Sequence, residues 1–250
     1  MASEPRKPLA VDLCCGKGGW TRGLQAAGFR VVGVDLVHWS DYPGEYFIKQ
    51  DIRTLTGAQF RGAALIVASP PCEEFSYRSF PFKRCREMGP PELGMELFRA
   101  CERIGQEAGV PYVIENVRGA RKWVGPAQMH LGPFYLWGTG IPALWPVELR
   151  KVVKGFTRAS PPGQASNQTS GRRMGKTNPQ DLWRNRNGSC DSRRYYAENY
   201  RENLLGWASG GRQYASSSQR RKEWSATIAM IPFELARTVG ACHYPREGAR

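Results

Sequence analysis

An α/β fold built on a doubly wound, mostly parallel sheet, with a small basic C-terminal lobe, is the architecture this sequence predicts, and three observations predict it. Short apolar runs at Leu9–Leu13, 30–36, 63–68 and 110–116 alternate with stretches of helical spacing, the pattern of β-α crossover units. The runs at 63–68 and 110–116 lack the in-out alternation of a half-exposed strand, as expected of strands covered on both faces. Residue types able to do chemistry also stand at or just beyond the ends of the runs: Asp12, Asp35, Asp51, Cys72 and Glu115. In open α/β sheets, ligands gather outside the carboxyl ends of the strands.

Taken in order, Leu9–Leu13 reads as a buried first strand and the glycines after it as a turn. Residues 20–27 read as a helix closing near Gly28, a residue free to take the positive φ of a helix end. Residues 30–36 form the second strand, 46–52 a shorter third and 63–68 the fourth. A loop rich in Pro, Arg and Phe fills 73–91. Leu97, Phe98, Cys101, Ile104, Gly105 and Ala108 then recur at helical spacing, followed by a fifth strand at 110–116 and a sixth at Phe134–Trp137. From about 151 to 214 the periodicity gives way to Gly, Ser, Asn, Gln and Arg, with Ser160-Pro161-Pro162-Gly163 a loop signal. Helical character returns over 221–239, where Ile228, Ile231, Leu235 and Ala236 are spaced to pack back on the sheet. The expected organisation is a core over 1–145, a loop-rich basic lobe over 146–220 and a returning helix within 221–250.

Charge separates these parts. The net charge is +14, made of 18 basic and 15 acidic residues over 1–150 but 18 and 7 over 151–250. Such an excess, with aromatics interleaved, fits a polyanionic partner, because each cation set against a phosphate releases condensed counterion. No stretch approaches a bilayer-spanning length, and the opening residues lack the apolar centre of a secretory signal. The seven cysteines, Cys14-Cys15, Cys72, Cys85, Cys101, Cys190 and Cys242, form neither a zinc spacing nor a regular disulfide framework. A soluble cytoplasmic protein with reduced thiols, no metal, no membrane and a monomeric or weakly dimeric state is expected.

Candidate chemistry lies in two groups. Gly16, Gly18 and Gly19 let the backbone after the first strand turn sharply and approach a ligand. Asp35 ends the second strand, where a carboxylate can accept from the two hydroxyls of a ribose. Asp51 ends the third, where it can accept from an exocyclic amine or simply cap a following turn. Together they describe an adenosine-shaped site. The second group is Ser69-Pro70-Pro71-Cys72 and, 43 residues beyond Cys72, Glu115-Asn116-Val117. Either fragment alone serves equally as a rigid turn with a packed thiol or a strand end with a solvated carboxylate. As a pair, a thiol and a carboxyl at neighbouring strand ends suit covalent catalysis.

The order of these motifs resembles the cytosine-C5 methyltransferase family in its short, bacteriophage-like form, well over about residues 9 to 140 and weakly over the last 30. The resemblance implies a Rossmann-like class I methyltransferase fold and S-adenosylmethionine as methyl donor. It places Asp12, Cys14, Cys15, Gly16, Gly18, Gly19 and Trp20 at the donor's amino-acid end, Asp35 and Leu36 at its ribose, Asp51 and Ile52 at its adenine, and Pro70 beside it. It makes Cys72 the nucleophile toward cytosine C6, Glu115 the group supporting N3, and Asn116 the residue that orients the Pro-Pro loop. Ser69, Pro71, Ser76, Arg78 and Arg84 fall on the substrate side, with Lys83, Arg86, Tyr77, Phe80 and Phe82 as contacts to phosphate or to a flipped base, or as ordinary loop residues. The sequence departs from the family at Cys14, where Phe is commoner, and in lacking the glutamine and double-arginine motif near the sixth strand. Tyr135-Leu136-Trp137-Gly138 occupies that place, and Arg184-Asn185-Arg186 is a distant substitute.

DNA is the favoured substrate carrier. With only about 80 residues between the sixth strand and the final helix, a free cytidine nucleotide under a lid is the alternative. A catalytically silent nucleic-acid-binding homologue is the third reading.

Overall fold

The computed structural model describes residues 6–76, 90–145 and 230–245. Their centre is a seven-stranded sheet comprising β1 (Leu9–Leu13), β2 (Arg30–Asp35), β3 (Tyr46–Lys49), β4 (Leu65–Ala68), β5 (Tyr112–Asn116), β6 (Met129–Leu131) and β7 (Phe134–Trp137), in the spatial order β3-β2-β1-β4-β5-β7-β6. The first five pair in parallel, and β7 joins β5 antiparallel with Asn116 opposite Tyr135 and Ile114 opposite Trp137. This is the Rossmann-like architecture of class I methyltransferases. The chain leaves β1 toward β2 on one side and returns to β4 on the other, so the switch point lies at the carboxyl end of β1.

Helices cover both faces, which explains the unbroken apolar character of β1, β4 and β5. Helix α1 (Gly19–Ala26) and the C-terminal helix α3 (Phe233–His243) lie over Ala10, Val31, Leu65, Val67 and Val113, with Trp20, Leu24, Leu235 and Val239 buried between. Helix α2 (Glu92–Ala108) lies on the other face, where Phe98, Cys101 and Ile104 meet Val11, Leu13, Ile66 and Ile114. Gly109, at φ 68°, closes α2, as a residue without Cβ readily does. The approach of the C-terminal segment to α1 depends on glycines: a Cβ on Gly19 would lie 2.5 Å from the backbone N of Ile231, and one on Gly23 2.6 Å from the backbone N of Arg237.

The structure differs from the sequence expectations at three boundaries. The third strand stops at Lys49, because the Asp51 carboxylate accepts from the Arg53 backbone N–H and opens a 3₁₀ turn at Ile52–Thr54. The expected sixth strand is the seventh, since three-residue β6 precedes it in a hairpin turning at Gly132-Pro133. Within the described residues the final helix starts at Phe233, and Ile231 packs ahead of it. Residues 221–229 and the lobe expected over 146–220 lie outside the described residues. Among the described residues no helix is long and apolar enough to cross a membrane, and no group of three or more His, Cys, Asp or Glu is placed to hold a metal.

Candidate active site

All the motif residues within the described segments lie along the carboxyl rim of the sheet. At its β1–β2 end, the turn after β1 is held from two sides. The Gly16 backbone N–H donates to Asp35 Oδ2 at 2.9 Å, and the Val37 N–H to Asp35 Oδ1 at 3.0 Å. Gly16 and Gly18 have φ of 50° and 77°, and Cys14 takes φ 54° although it carries a Cβ. A non-glycine residue there is uncommon and strained, of the kind that clusters at ligand-binding turns. The half-buried Cys14 side chain faces that of Cys101.

Asp12 is completely buried. Its Oδ2 accepts from the Thr21 N–H at 3.1 Å and the Thr21 hydroxyl at 2.7 Å, fastening the start of α1 to β1, while Oδ1 has no hydrogen-bond partner among the described residues. Thr21 Oγ1 in turn accepts from the Tyr42 hydroxyl at 3.0 Å. Burial pushes the Asp12 carboxyl up to about 7, since desolvation penalises its charged form. The same cause raises Cys15 and Tyr42.

An adenosine-bearing ligand fits the chemistry of this end. Leu36 and Val37 expose 56% and 51% of their surface directly after Asp35, offering an apolar face beside a carboxylate. A Cβ built on Gly16 would meet nothing within 4 Å, so the turn is open to a ligand there. The Asp51 carboxylate is engaged by the Arg53 guanidinium and backbone, so the turn-capping reading of this residue is realised. Ile52 lies in the core at 3% exposure.

The middle of the rim carries the second motif group. Ala68 and Ile114 are register partners in the parallel β4–β5 pair, so one step further Ser69 comes opposite Glu115. Cys72 follows the two prolines and precedes a 3₁₀ turn at Glu73–Phe75, with its carbonyl accepting from the Ser76 hydroxyl at 2.9 Å. Asn116, fully buried, donates from Nδ2 to the Pro70 carbonyl at 3.0 Å and accepts from the Val117 N–H at 2.8 Å. One amide thus ties the end of β5 to the loop that carries the thiol. The expectation that Asn116 orients this loop acquires a specific atom, the carbonyl of Pro70.

Electrostatics distinguish the two groups. Burial pushes the Glu115 carboxyl up to about 8, against a smaller opposing effect of hydrogen bonding from Ser69. The acid is therefore mostly protonated at neutral pH. Cys72 is raised by burial first and by the nearby Glu115 charge second, so the described surroundings keep it a thiol. Trp20 reaches the same place from α1, its indole N–H donating to Ser69 Oγ at 2.8 Å.

The β5–β7–β6 end of the rim was not singled out from the sequence. The segment after Asn116 exposes Arg118, Arg121, Lys122 and His130, with Arg121 over the Tyr135 ring, His130 stacked on it and Lys122 over Trp123. Some cations elsewhere are paired, as in Arg53 with Glu96, Arg99 with Glu102 and Arg103 with Glu107. Among the described residues Arg118, Arg121 and Lys122, clustered within five residues, have no carboxylate partner. The signal was present as a local bias: from Val117 to Val147 the chain has no acidic residue. Of the other expected substrate contacts, Ser69, Pro71 and Ser76 lie beside Cys72. Arg78, Arg84, Arg184 and Arg186, with Tyr77, Phe80, Phe82, Lys83 and Arg86, lie outside the described residues.

Comparison with known proteins finds similarity to methyltransferases. The family model described as FtsJ-like methyltransferase matches residues 3–71, the cofactor half of the rim, ending one residue short of Cys72. The chain is 28% identical over 118 residues to the Type II methyltransferase M.NgoMIV of Neisseria gonorrhoeae, covering 44% of this chain and 36% of that protein. It therefore spans little more than a third of the length of this relative. Among solved structures, a putative DNA modification methyltransferase from an Escherichia coli prophage is 23% identical, with a TM-score of 0.35, covering 45% of this chain and 33% of the other. The S. pombe Dnmt2 methyltransferase is 21% identical, with a TM-score of 0.33, covering 46% and 36%. The resemblance read from the ordered motifs is borne out.

Proposed function

We propose that this chain, which has a methyltransferase fold and resembles cytosine methyltransferases, transfers the methyl group of S-adenosylmethionine to C5 of cytosine in DNA, through a transient bond between the Cys72 sulfur and C6. The observation that carries the reading is the placement of Cys72 and Glu115 at the ends of adjacent strands, with Asn116 fastened to Pro70 between them. The donor supplies an electrophilic methyl on a sulfonium. The turn from Asp12 to Trp20, with Asp35, Leu36 and Pro70, is the part of this chain proposed to hold it.

Cytosine C5 is too weak a nucleophile to take that methyl unaided, and this explains why a thiol and an acid stand together. Cys72 adds to C6 as a thiolate while protonated Glu115 gives its proton to N3, and C5 becomes enamine-like. After C5 has taken the methyl, its proton passes to water, the electrons of that bond expel the thiolate, and N3 returns its proton to the Glu115 carboxylate, restoring the aromatic ring. Glu115 suits the acid role because it holds its proton to about 8. Once it has given that proton to N3, it returns as a carboxylate able to take the proton back. Burial and the Glu115 charge raise the Cys72 thiol more than hydrogen bonding with Ser76 lowers it, so its proton passes to water only as substrate enters and the thiolate adds to C6. A target in duplex DNA must be flipped from the stack to reach this rim. The cations from Arg118 to Lys122, which have no carboxylate partner among the described residues, support a phosphate-bearing carrier.

The test offers methyl-labelled S-adenosylmethionine to DNA, RNA and cytidine nucleotides in parallel and locates the label. Label at C5 of cytosine in DNA is the expected result. Label only in the nucleotide moves the assignment to a nucleotide-level enzyme, and no label in any pool favours a silent binding homologue.

A further inference from the structure

Trp20 lies in the segment assigned to the cofactor, but its polar atom points at the acid's neighbour. The side chain is 2% exposed and its only donor, Nε1–H, goes to Ser69 Oγ at 2.8 Å. An indole N–H cannot accept. Ser69 must therefore accept from Trp20, and the one hydroxyl proton it has left is free for another partner. The group placed to receive it is Glu115, one register step beyond the Ala68–Ile114 pair on the adjacent strand, where Ser69 opposes the effect of burial on the carboxyl. Helix α1 is thus tied to the loop before Cys72 by the Trp20 hydrogen bond, and that loop meets strand β5 through the register of Ser69 and Glu115.

We propose that Trp20 is a positioning residue, whose indole N–H fixes the Ser69 hydroxyl so that it donates to one oxygen of Glu115 and leaves the proton of the neutral acid on the other oxygen. The inference rests on the assignment of Glu115 as the acid that protonates cytosine N3. A neutral carboxyl that accepts on one oxygen carries its proton on the other, so a fixed Ser69 also fixes where the transferable proton sits. Without Trp20 the serine hydroxyl can rotate and donate elsewhere. Glu115 then loses a bond that favours its ionised form, and its titration midpoint rises.

The experiment is a double-mutant cycle of Trp20→Phe, which keeps an aromatic ring but removes the donor, and Ser69→Ala. The first readout is carboxyl ¹³C NMR titration of Glu115 in the full chain, assigned with Glu115→Gln, which requires no turnover. Each single variant should raise the Glu115 midpoint by about half to one pH unit, the worth of one ordinary hydrogen bond. The double variant should match Ser69→Ala alone. In methyl transfer each single variant should lose roughly three- to tenfold in kcat, again without further loss in the double. Additive effects, or a midpoint unmoved by Trp20→Phe in a folded protein, overturn the proposal. Equal midpoint shifts in a protein that never labels cytosine leave the donor chain standing as geometry but defeat the function on which the proposal depends.

Discussion

Replacing Glu115 by Gln should change how the stability of this protein depends on pH. The folded state holds the Glu115 proton up to about 8, whereas an ordinary glutamate releases it near 4.5. Between those values the native state binds a proton that the unfolded chain has lost. Stability therefore falls as pH rises through the window and levels off above about 8. The window from 4.5 to about 8 is about 3.5 pH units wide, each worth about 1.4 kcal/mol, or about 5 kcal/mol. The side chain stands at the rim with part of its surface open to solvent, which brings the expected fall to about 2–4 kcal/mol. That is a large part of the roughly 5–15 kcal/mol by which a domain is stable. Urea denaturation of both proteins at several pH values from about 5 to 9 measures it. Asp12, raised to about 7 by its own burial, contributes a parallel fall common to both proteins, so the difference between the curves isolates Glu115. Curves that run parallel across the window would show that Glu115 titrates like an exposed glutamate, and its role as a neutral acid would be lost.

Asp35→Ala removes the acceptor for the Gly16 and Val37 N–H groups and should weaken S-adenosylmethionine binding at least about tenfold in calorimetry; an unchanged Kd would separate Asp35 from the cofactor. Asn116→Ala leaves the Pro70 carbonyl without its donor. It should cost about 1–3 kcal/mol of stability and, by releasing the loop that aims Cys72, lower kcat by about tenfold or more while sparing cofactor affinity. Replacing Arg118, Arg121 and Lys122 together by Gln should flatten the dependence of log K for DNA on log salt by about 1–3, and an unaltered slope would remove this segment from the interface.

How much of this was legible in the sequence depended on the range of the interaction. Strands such as β4 and β5 announced themselves because burial on both faces leaves an unbroken apolar run, and Cys72, Glu115 and Asn116 were legible because each follows such a run. β6 was missed because three residues, one of them His130, give no periodicity, and what stabilises it is β7. The third strand was read too long because Asp51 was followed through to Ile52, whereas its carboxylate turns the chain with the help of Arg53, two residues on. The contacts from Trp20 to Ser69 and from Asn116 to Pro70 join positions 49 and 46 residues apart. Only the parallel register brings them together, so sequence gave the residues but not the pairing. The cations after Asn116 were visible as a stretch without acidic residues, but they were averaged away by counting charge over half the chain.

The most direct test of the covalent reading is to offer the protein DNA in which the target cytosine carries fluorine at C5, together with S-adenosylmethionine. Fluorine cannot leave as the C5 proton does, so the thiol cannot be expelled once the methyl has been taken. A denaturant-resistant complex should form, with the methylated pyrimidine attached to the peptide containing Cys72, and none should form with Cys72→Ala. Methyl transfer to ordinary cytosine that persists in Cys72→Ala, or that places the label on a ring substituent other than C5, would contradict the account.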